Sequence, residues 1–216
     1  MRAPPKLRGG LRARLVWLVL GLFLCACGIV AFYESELGLP PWDVLHQGVA
    51  EQLGVSFGVA NLVVSFAVLV LVWGMRAHIG LGTLLNAALT GSFVILLLSV
   101  DAVAALSDEP LAMRLVLVLL GLALLGIGTA FYICASLGAG PRDSLMLVGS
   151  RILGIRIGVS RTGVEVAALL LGLVLGGTAG LGTLVFAGGI GPAVEMSFAL
   201  LARTPLARPA VASAPA

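Results

Sequence analysis

Long hydrophobic stretches alternate with short polar segments along the whole chain. Six stretches are long enough, or nearly so, to cross about 30 Å of hydrocarbon as helices, and they lie at residues 13–33, 58–76, 82–100, 112–133, 162–178 and 181–201. A soluble domain would carry about a quarter charged residues, whereas this chain is 60% hydrophobic and only 11% charged. The pattern therefore predicts an all-α integral membrane protein with six transmembrane helices.

The second half of the chain repeats the first with a shift of 100 residues. When residues 15–100 are laid over residues 115–200 without a gap, 28 of the 86 positions are identical, against roughly a tenth expected by chance for so biased a composition. Two motifs recur whole, Leu-Gly-x-x-Pro-x-Asp-x-Leu and Gly-Leu-Gly-Thr-Leu, and each threonine is expected to cap the helix that follows it. The motif residues are Gly38, Pro41, Gly80, Gly82 and Thr83 in the first copy, and Gly138, Pro141, Gly180, Gly182 and Thr183 in the second. Such self-similarity predicts two structural repeats.

The positive charges orient this pattern, because Lys and Arg concentrate in cytoplasmic segments. With the N-terminus inside, twelve of the 13 Lys and Arg residues fall in the cytoplasm and only Arg114 falls outside. Each copy holds three spans, an odd number, so the second copy enters the membrane from the opposite side. The sequence thus predicts two inverted-topology three-helix repeats, the plan of many secondary transporters. Both termini are expected in the cytoplasm, and the protein is expected in the bacterial cytoplasmic membrane.

This organisation divides the chain into a basic cytoplasmic tail (1–10), repeat one (11–103), repeat two (111–203) and an Ala/Pro-rich tail (204–216) that is predicted to be disordered. The basic start and the apolar first span loosely resemble a signal peptide. The matching segment of the second copy is internal, however, so a retained helix is predicted.

A short helix is predicted within each copy, at 42–53 and 142–153, between a proline and a glycine that mark helix ends. About three turns are too few to span the membrane, so each helix either lies along the interface or dips in as a re-entrant half-helix. Asp43 and Asp143 fall in the first turns. They either cap these helices or contact a substrate or ion directly, and both alternatives stay open.

Two acidic residues fall inside predicted spans, where a carboxylate is costly and by default indicates function. Glu165 has a partner in Arg161, four residues earlier on the same helix face, which favours a structural ion pair. Glu195 has no such partner and follows Gly191-Pro192, which is expected to kink or break the sixth helix. A carboxylate beside a broken helix is typical of a cation or proton site, and the alternative is a side chain that reaches the cytoplasmic interface.

Further polar residues within or beside the spans, among them Asn61 and Asn86, either line a path or hydrogen-bond between helices. His46 and His78 stand alone in the sequence and receive no role. The sequence contains no nucleophile–base pair, no metal-ligand cluster and no phosphate loop. We therefore expect neither an enzyme nor a cofactor or bound metal.

The paired motifs resemble those of the YczE/YyaS/YitT family of bacterial membrane proteins, and most closely its YczE-like branch. The likeness covers most of the chain and is strongest over 37–45 and 80–84. The second copy departs from the pattern, for example with Arg142 where the first has Trp42. The resemblance implies a multi-pass membrane protein, and it implies no particular substrate or catalytic residue.

Together these features favour a small secondary transporter with alternating access between two inverted repeats and ion coupling through Glu195. The alternative is a membrane scaffold or regulatory protein that stabilises a partner without transport. The expected partners are the lipid bilayer and a small-molecule or ion substrate, with a homodimer as an open alternative. No feature indicates binding to nucleic acid.

Overall fold

The computed structural model describes residues 5–208 and is almost entirely helical. Within that range the chain forms α1 (Leu11–Ser35), α2 (Pro41–Leu53), α3 (Phe57–Gly74), α4 (Leu81–Leu98), α5 (Asp101–Ala104), a 3-10 turn (Ala105–Asp108), α6 (Leu111–Cys134), α7 (Pro141–Leu153), α8 (Ile157–Val174) and α9 (Leu181–Ala202). Six of these helices, α1, α3, α4, α6, α8 and α9, are long and apolar enough to cross a membrane.

The predicted spans agree with these helices to within a few residues, except for the fifth. That span was expected at 162–178, whereas α8 begins five residues earlier, at Ile157. The predicted start was wrong because it placed the span after Arg161, although it included Glu165. In the structure the two side chains form an ion pair, 3.1 Å from Nε to Oε1, within the helix, so neither charge stands unpaired.

Corresponding helices of the two copies begin 100 residues apart. This holds for α1 and α6, for α2 and α7, for α3 and α8, and for α4 and α9. In each copy the Gly-Leu-Gly-Thr motif opens the last long helix, where the Thr83 and Thr183 hydroxyls accept hydrogen bonds of 3.1 Å from the Gly80 and Gly180 N–H groups. The internal duplication of the sequence is thus also a duplication of secondary structure.

The two copies meet along α1 and α6, whose glycines let the backbones approach closely. A Cβ atom on Gly21 would lie 2.7 Å from the Gly128 carbonyl oxygen, and one on Gly28 would lie 2.8 Å from the Gly121 oxygen. The later position on one helix pairs with the earlier position on the other, so the helices run antiparallel. Because Gly21 corresponds to Gly121 and Gly28 to Gly128, the contact is reciprocal between the copies.

The recurring motifs also exchange hydrogen bonds between copies. The Gly82 N–H donates to the Leu137 carbonyl, and the Gly182 N–H donates to the Leu37 carbonyl, both at 2.7 Å. Gly38 and Gly138, next in sequence, have φ of +108° and +125°, a conformation that side chains other than glycine rarely adopt. The glycines of each motif therefore let the backbone of one copy dock on the backbone of the other.

A matched pair of arginines closes the ends of α1 and α6. Arg14 Nε donates to the Ala135 carbonyl and Arg114 Nε donates to the Ser35 carbonyl, each at 2.7 Å. A cation at a helix C-terminus satisfies free carbonyls and complements the helix dipole. Arg114 is the one basic residue that the charge pattern put on the outer side, and its capping role explains why a cation lies there.

The copies differ in how their last two long helices pack. In copy one α3 packs on α4: a Cβ atom on Gly58 would lie 2.5 Å from Ile95, and one on Gly91 would lie 2.6 Å from Leu62. At the counterparts Gly158 and Gly191, a Cβ atom would meet nothing within 4 Å. Copy two therefore leaves open the glycine positions that copy one fills.

The described part of the tails is ordered in a small pair of strands. Strand β1 (Lys6–Leu7) pairs antiparallel with β2 (Ala207–Arg208). The expected disordered tail at 204–216 thus begins with residues that pair with the N-terminal segment. Its residues 209–216 lie outside the described range.

Candidate functional site

A buried polar cluster joins the short helix α2 to the long helix α3. Asp43, His46 and Asn61 are at most 1% exposed. His46 Nδ1 lies 3.0 Å from Asp43 Oδ1 and 3.0 Å from Asn61 Nδ2. Asp43 and His46 are three residues apart and so share one face of α2, and α3 supplies the amide from the other side.

The His46 Nδ1 atom has two neighbours but one hydrogen-bonding position. When Nδ1 carries a proton it donates to the Asp43 carboxylate, and when it carries none it accepts from the Asn61 amide. The two contacts therefore belong to different tautomers of the neutral ring, and the contact with Asp43 also suits the protonated ring. Such an arrangement can bind or release a proton without moving a helix.

Several polar atoms in and around the cluster make no hydrogen bond to any other described residue. They are buried, and they are Trp42 Nε1, His46 Nε2, Asn61 Oδ1 and Thr90 Oγ1. Unpaired buried polar groups cost about 1–3 kcal/mol each and are uncommon unless they serve a function. Two of the four, His46 Nε2 and Asn61 Oδ1, belong to the cluster, and Trp42 is next to Asp43 in the chain, which makes this cluster the strongest candidate for a binding site.

The second copy supplies the other side of the cluster. Arg142, at the start of α7, lies over the Trp42 ring with its guanidinium carbon 5.4 Å from the ring centroid. Next to it, Asp143 accepts a hydrogen bond from the Tyr132 hydroxyl of α6. Trp42 and Arg142 occupy equivalent positions in the two copies, so the first turns of the two short helices face each other through their side chains.

Each short helix begins inside the protein and ends at its surface. Pro41 and Pro141, at the first positions of α2 and α7, are buried, whereas residues 51–54 and 151–154 at the ends are exposed. The partly positive N-terminal ends of both helices therefore point inward. Asp43 and Asp143 lie in those first turns but hydrogen-bond His46 and Tyr132 rather than free backbone N–H groups.

Burial lowers the pKa of His46, and the hydrogen bond that the ring donates to Asp43 partly opposes this by favouring the charged ring. The positive charge of Arg142 lowers the pKa further. His46 is thus neutral near pH 7 in this conformation, since the ordinary histidine pKa is about 6.5.

A cavity of about 500 Å³ opens beside the cluster, lined by Tyr33, Glu34, Gln47, Glu51 and Phe57 among others. A second cavity of about 520 Å³ shares three of these residues and extends toward Gly38 and Thr178. The Phe57 ring lies edge-on to the His46 ring at a centroid distance of 6.2 Å and packs on the Tyr33 ring at 4.5 Å. Phe57 therefore touches both the cavity and the buried histidine.

The remaining predicted site residues lie apart from this cluster. Glu195 is exposed on α9, which runs uninterrupted through Pro192, so the expected break in the helix is absent. A proline is tolerated in a transmembrane helix where neighbouring groups or local adjustment of the helix satisfy the carbonyl that loses its usual donor. Glu165 pairs with Arg161, and Asn86 is half-buried against Gly140.

His46 is the residue that the sequence analysis missed. Alone in the sequence it indicates no role, yet in α2 it is fully buried and lies 3.0 Å from Asp43. The signal was present in the chain, because an acid and a histidine three residues apart on a predicted helix can form a hydrogen-bonded pair. Its counterpart in the second copy is Met146, so the repeat alone did not mark it.

Comparison with known proteins places the chain among other bacterial sequences. The model for a family of unknown function, DUF6198, matches residues 12–198. The chain belongs to this family. Members similar to it include an uncharacterized protein of Haemophilus influenzae, 37% identical over 191 residues that cover 87% of this chain and 84% of the relative. No solved structure matches the chain.

Two relatives from Bacillus subtilis bear on the predicted family. The uncharacterized membrane protein YczE is 33% identical over 173 residues, which cover 77% of each chain. The uncharacterized protein YyaS is 30% identical over 168 residues, covering 77% of this chain and 83% of the relative. The predicted kinship with the YczE-like branch is confirmed, and together with the six apolar helices it identifies this DUF6198 chain as a membrane protein.

Proposed function

We propose that this protein is a small secondary transporter in which two inverted repeats give alternating access to a central polar site. The observation that carries the proposal is the buried cluster of Asp43, His46 and Asn61, beside which Arg142 of the other copy lies over the Trp42 ring. Such convergent polar groups at a repeat interface are where transporters bind their substrates and coupling ions.

The inverted arrangement is supported by the reciprocal contacts between the copies. A two-fold axis between the copies exchanges Gly21 with Gly121 and Gly128 with Gly28, so it turns the Gly21–Gly128 contact into the Gly121–Gly28 contact. Such an axis lying in the membrane plane requires α1 and α6 to run in opposite directions. The same relation explains why α2 packs on α8 while α7 packs on α3. Together with the positive-inside rule, it supports the proposal that both termini lie in the cytoplasm of a bacterial cell and that the α2 end of the molecule lies outside.

A matched pair of single cysteines tests this topology. Leu53 and Leu153 are equivalent positions at the ends of the two short helices, and they are 58% and 68% exposed. In a variant lacking Cys25, Cys27 and Cys134, a membrane-impermeant maleimide should label Leu53→Cys in intact cells. Leu153→Cys should react only after the membrane is opened, and labelling of both from outside would overturn the inverted arrangement.

The site assigned here lies away from Glu195. A coupling carboxylate has to face both aqueous sides in turn, whereas Glu195 is on an exposed face of α9. The buried cluster lies between the copies, where a change in their packing can open it to either side. The short helices serve the site as re-entrant half-helices, because their first turns reach it and their last turns lie at the surface.

Alternating access is supported by the difference between the two copies. In an inverted repeat, exchanging the conformations of the two halves turns a site that opens to one face into a site that opens to the other. Here α3 and α4 are packed while α8 and α9 are apart. In the alternative state, α8 packs on α9, so that neighbouring side chains contact Gly158 and Gly191. At the same time α3 separates from α4.

Cysteine crosslinking tests this exchange. The pair Leu62→Cys with Gly91→Cys reports on the packed α3–α4 contact, and the matched pair Thr162→Cys with Gly191→Cys reports on the same contact in copy two. A transporter should crosslink at both pairs, with one crosslink reducing the yield of the other. A rigid scaffold would crosslink only at the first pair.

A further inference from the structure

We propose that the cluster of Asp43, His46 and Asn61 is a proton-binding site, and that the proton is the coupling ion of the transporter. This inference rests on the proposed function and names the ion taken by the same site. It assigns the central role to a histidine rather than to a carboxylate within a span.

The geometry gives His46 two states of similar hydrogen bonding. In the neutral ring with its proton on Nδ1, the ring donates to Asp43 and leaves Nε2 free as an acceptor. An incoming proton adds to Nε2, and the ring becomes a cation beside the Asp43 carboxylate. In the other neutral form, Nδ1 accepts from Asn61 and Nε2 carries the proton. Nε2 makes no hydrogen bond to another described residue, so it is the atom free to gain or lose a proton.

The charged groups around His46 are few and come from both copies. Its own helix supplies Asp43, and α7 supplies Arg142, whose charge acts on the ring. Helix α3 supplies Asn61 and Phe57, which do not titrate. The segment of α8 packed on α2 meets it at Val44 and Gly48 through Gly172 and Leu175, which do not titrate either. The Asp43 carboxylate therefore favours the protonated ring, and the positive charge of Arg142 disfavours it. Movement of α7, which carries Arg142, relative to α2 then changes the proton affinity of His46.

Protonation is coupled to conformation through burial. In the present conformation burial lowers the pKa of His46, so the neutral ring is favoured at pH 7. In a conformation that admits water the pKa returns toward about 6.5, and the ring binds a proton more readily. Acid therefore favours the hydrated conformation, and the conformational equilibrium shifts by up to about tenfold per pH unit between the two pKa values.

The cavity beside the cluster supplies a route for the proton. Its walls carry Glu34 and Glu51, and Phe57 lies between its interior and the His46 ring. On the proposed topology this cavity faces the outside of the cell. Protons therefore enter from the outer face, and rotation of Phe57 away from His46 connects the cavity to the site.

Nitrogen NMR of the purified, reconstituted protein tests the site directly. The chain has only two histidines, so His78→Gln leaves His46 as the single labelled signal. With ¹⁵N-labelled histidine, His46 should titrate below the value of about 6.5 that is ordinary for histidine. A midpoint at or above that value, or no titration between pH 4 and 8, would overturn the proposal.

Crosslinking as a function of pH separates this inference from the proposed function. The yield of the Thr162→Cys/Gly191→Cys crosslink should change between pH 8 and pH 5, by at most about tenfold per pH unit, in a direction opposite to that of the Leu62→Cys/Gly91→Cys pair. His46→Gln should abolish the pH dependence, while His78→Gln should leave it unchanged. If the two crosslinks exchange without any pH dependence, the proton is not the coupling ion, but the transporter proposal stands. If they do not exchange at any pH, both proposals are wrong.

A second variant guards against misfolding of His46→Gln. Asp43→Asn keeps the histidine and removes the carboxylate that favours its charged form. The His46 titration should then move to lower pH, and the change in crosslinking should move with it. If the conformational change keeps its midpoint while the His46 titration moves, the two events are uncoupled and the proposal fails.

Discussion

Helices α3 and α4 of the first copy lie packed together, whereas α8 and α9 of the second stand apart, although both pairs carry glycines at the same two positions. Gly58 and Gly91 are filled by neighbouring side chains, and Gly158 and Gly191 face open space. The same glycine is needed for close packing in one copy and contacts no neighbouring helix in the other. One sequence pattern is therefore compatible with two packing arrangements. This difference between the copies is the basis for the exchange of conformations proposed above.

The polar residues show a second difference between the copies. Copy one contributes His46 and Asn61 to the buried cluster, and their counterparts are Met146 and Arg161. Copy two contributes Arg142 where copy one has Trp42. Duplication has kept the helical frame symmetric while the site became asymmetric, so that one half holds the titrating group and the other holds the charge that acts on it.

The largest loss of stability is expected at the contact between α1 and α6, where the two copies meet. Valine at Gly128 would bring a Cβ atom to 2.6 Å from the Gly21 carbonyl oxygen and 2.7 Å from Cys25 Sγ. Overpacking of this kind costs about 1–3 kcal/mol and occasionally more, and we expect Gly128→Val to lie at the upper end. Thermal unfolding in detergent measures it, with Gly163→Val as the control because Gly163 has open space.

The second prediction addresses the difference between α3–α4 and α8–α9 directly. Gly58→Val should destabilise the protein by about 2 kcal/mol, because its side chain collides with the Ile95 side chain and backbone. Gly158→Val should change the unfolding temperature little and should instead block the crosslink between positions 162 and 191. Equal destabilisation by the two variants would mean that α8 and α9 are packed like α3 and α4 and that the copies do not differ.

The third prediction addresses what the copies share. Arg14→Gln and Arg114→Gln should each destabilise by about 1 kcal/mol, since each removes a cation from a helix C-terminus. Exposed Arg12 offers a control that should be neutral on substitution by glutamine. A large effect at Arg114 with none at Arg14 would contradict the two-fold relation between α1 and α6.

Much of this frame could be predicted from the sequence, because hydrophobic length and internal repetition are strong signals in a membrane protein. The start of α8 could also be predicted from the repeat. Helix α8 begins 100 residues after α3, so the start of α3 gives a start near Ile157. The capping arginines lay one residue outside the aligned segment at Leu15, and their recurrence at 14 and 114 was readable from the chain.

The site was harder to predict, for physical reasons. A helix that is hydrophobic on all sides gives no hint of which face is buried, so the exposure of Glu195 on α9 could not be derived. His46 was judged alone, although Asp43 stood one turn away on the same predicted helix. Gly158 and Gly191 contact no neighbouring helix, whereas Gly58 and Gly91 at the same positions of copy one do. This difference arises from helix packing, so the glycine pattern, which is the same in both copies, could not predict it.

The smallest effect on stability is expected at the centre of the site. Asn61→Leu removes an unpaired buried carbonyl oxygen along with the contact to His46, and replacing a partly satisfied polar group by an apolar one of similar size is often near neutral. We expect the free energy of unfolding to change by less than about 1 kcal/mol, while the pH dependence of crosslinking moves, because the neutral ring has lost the amide that donates to Nδ1. Asn86→Leu, on α4 and outside the cluster, is the matched control and should leave that pH dependence unchanged. If Asn61→Leu instead unfolds the protein and Asn86→Leu does not, the buried amide is structural, and the polar centre holds the helices together rather than binding an ion.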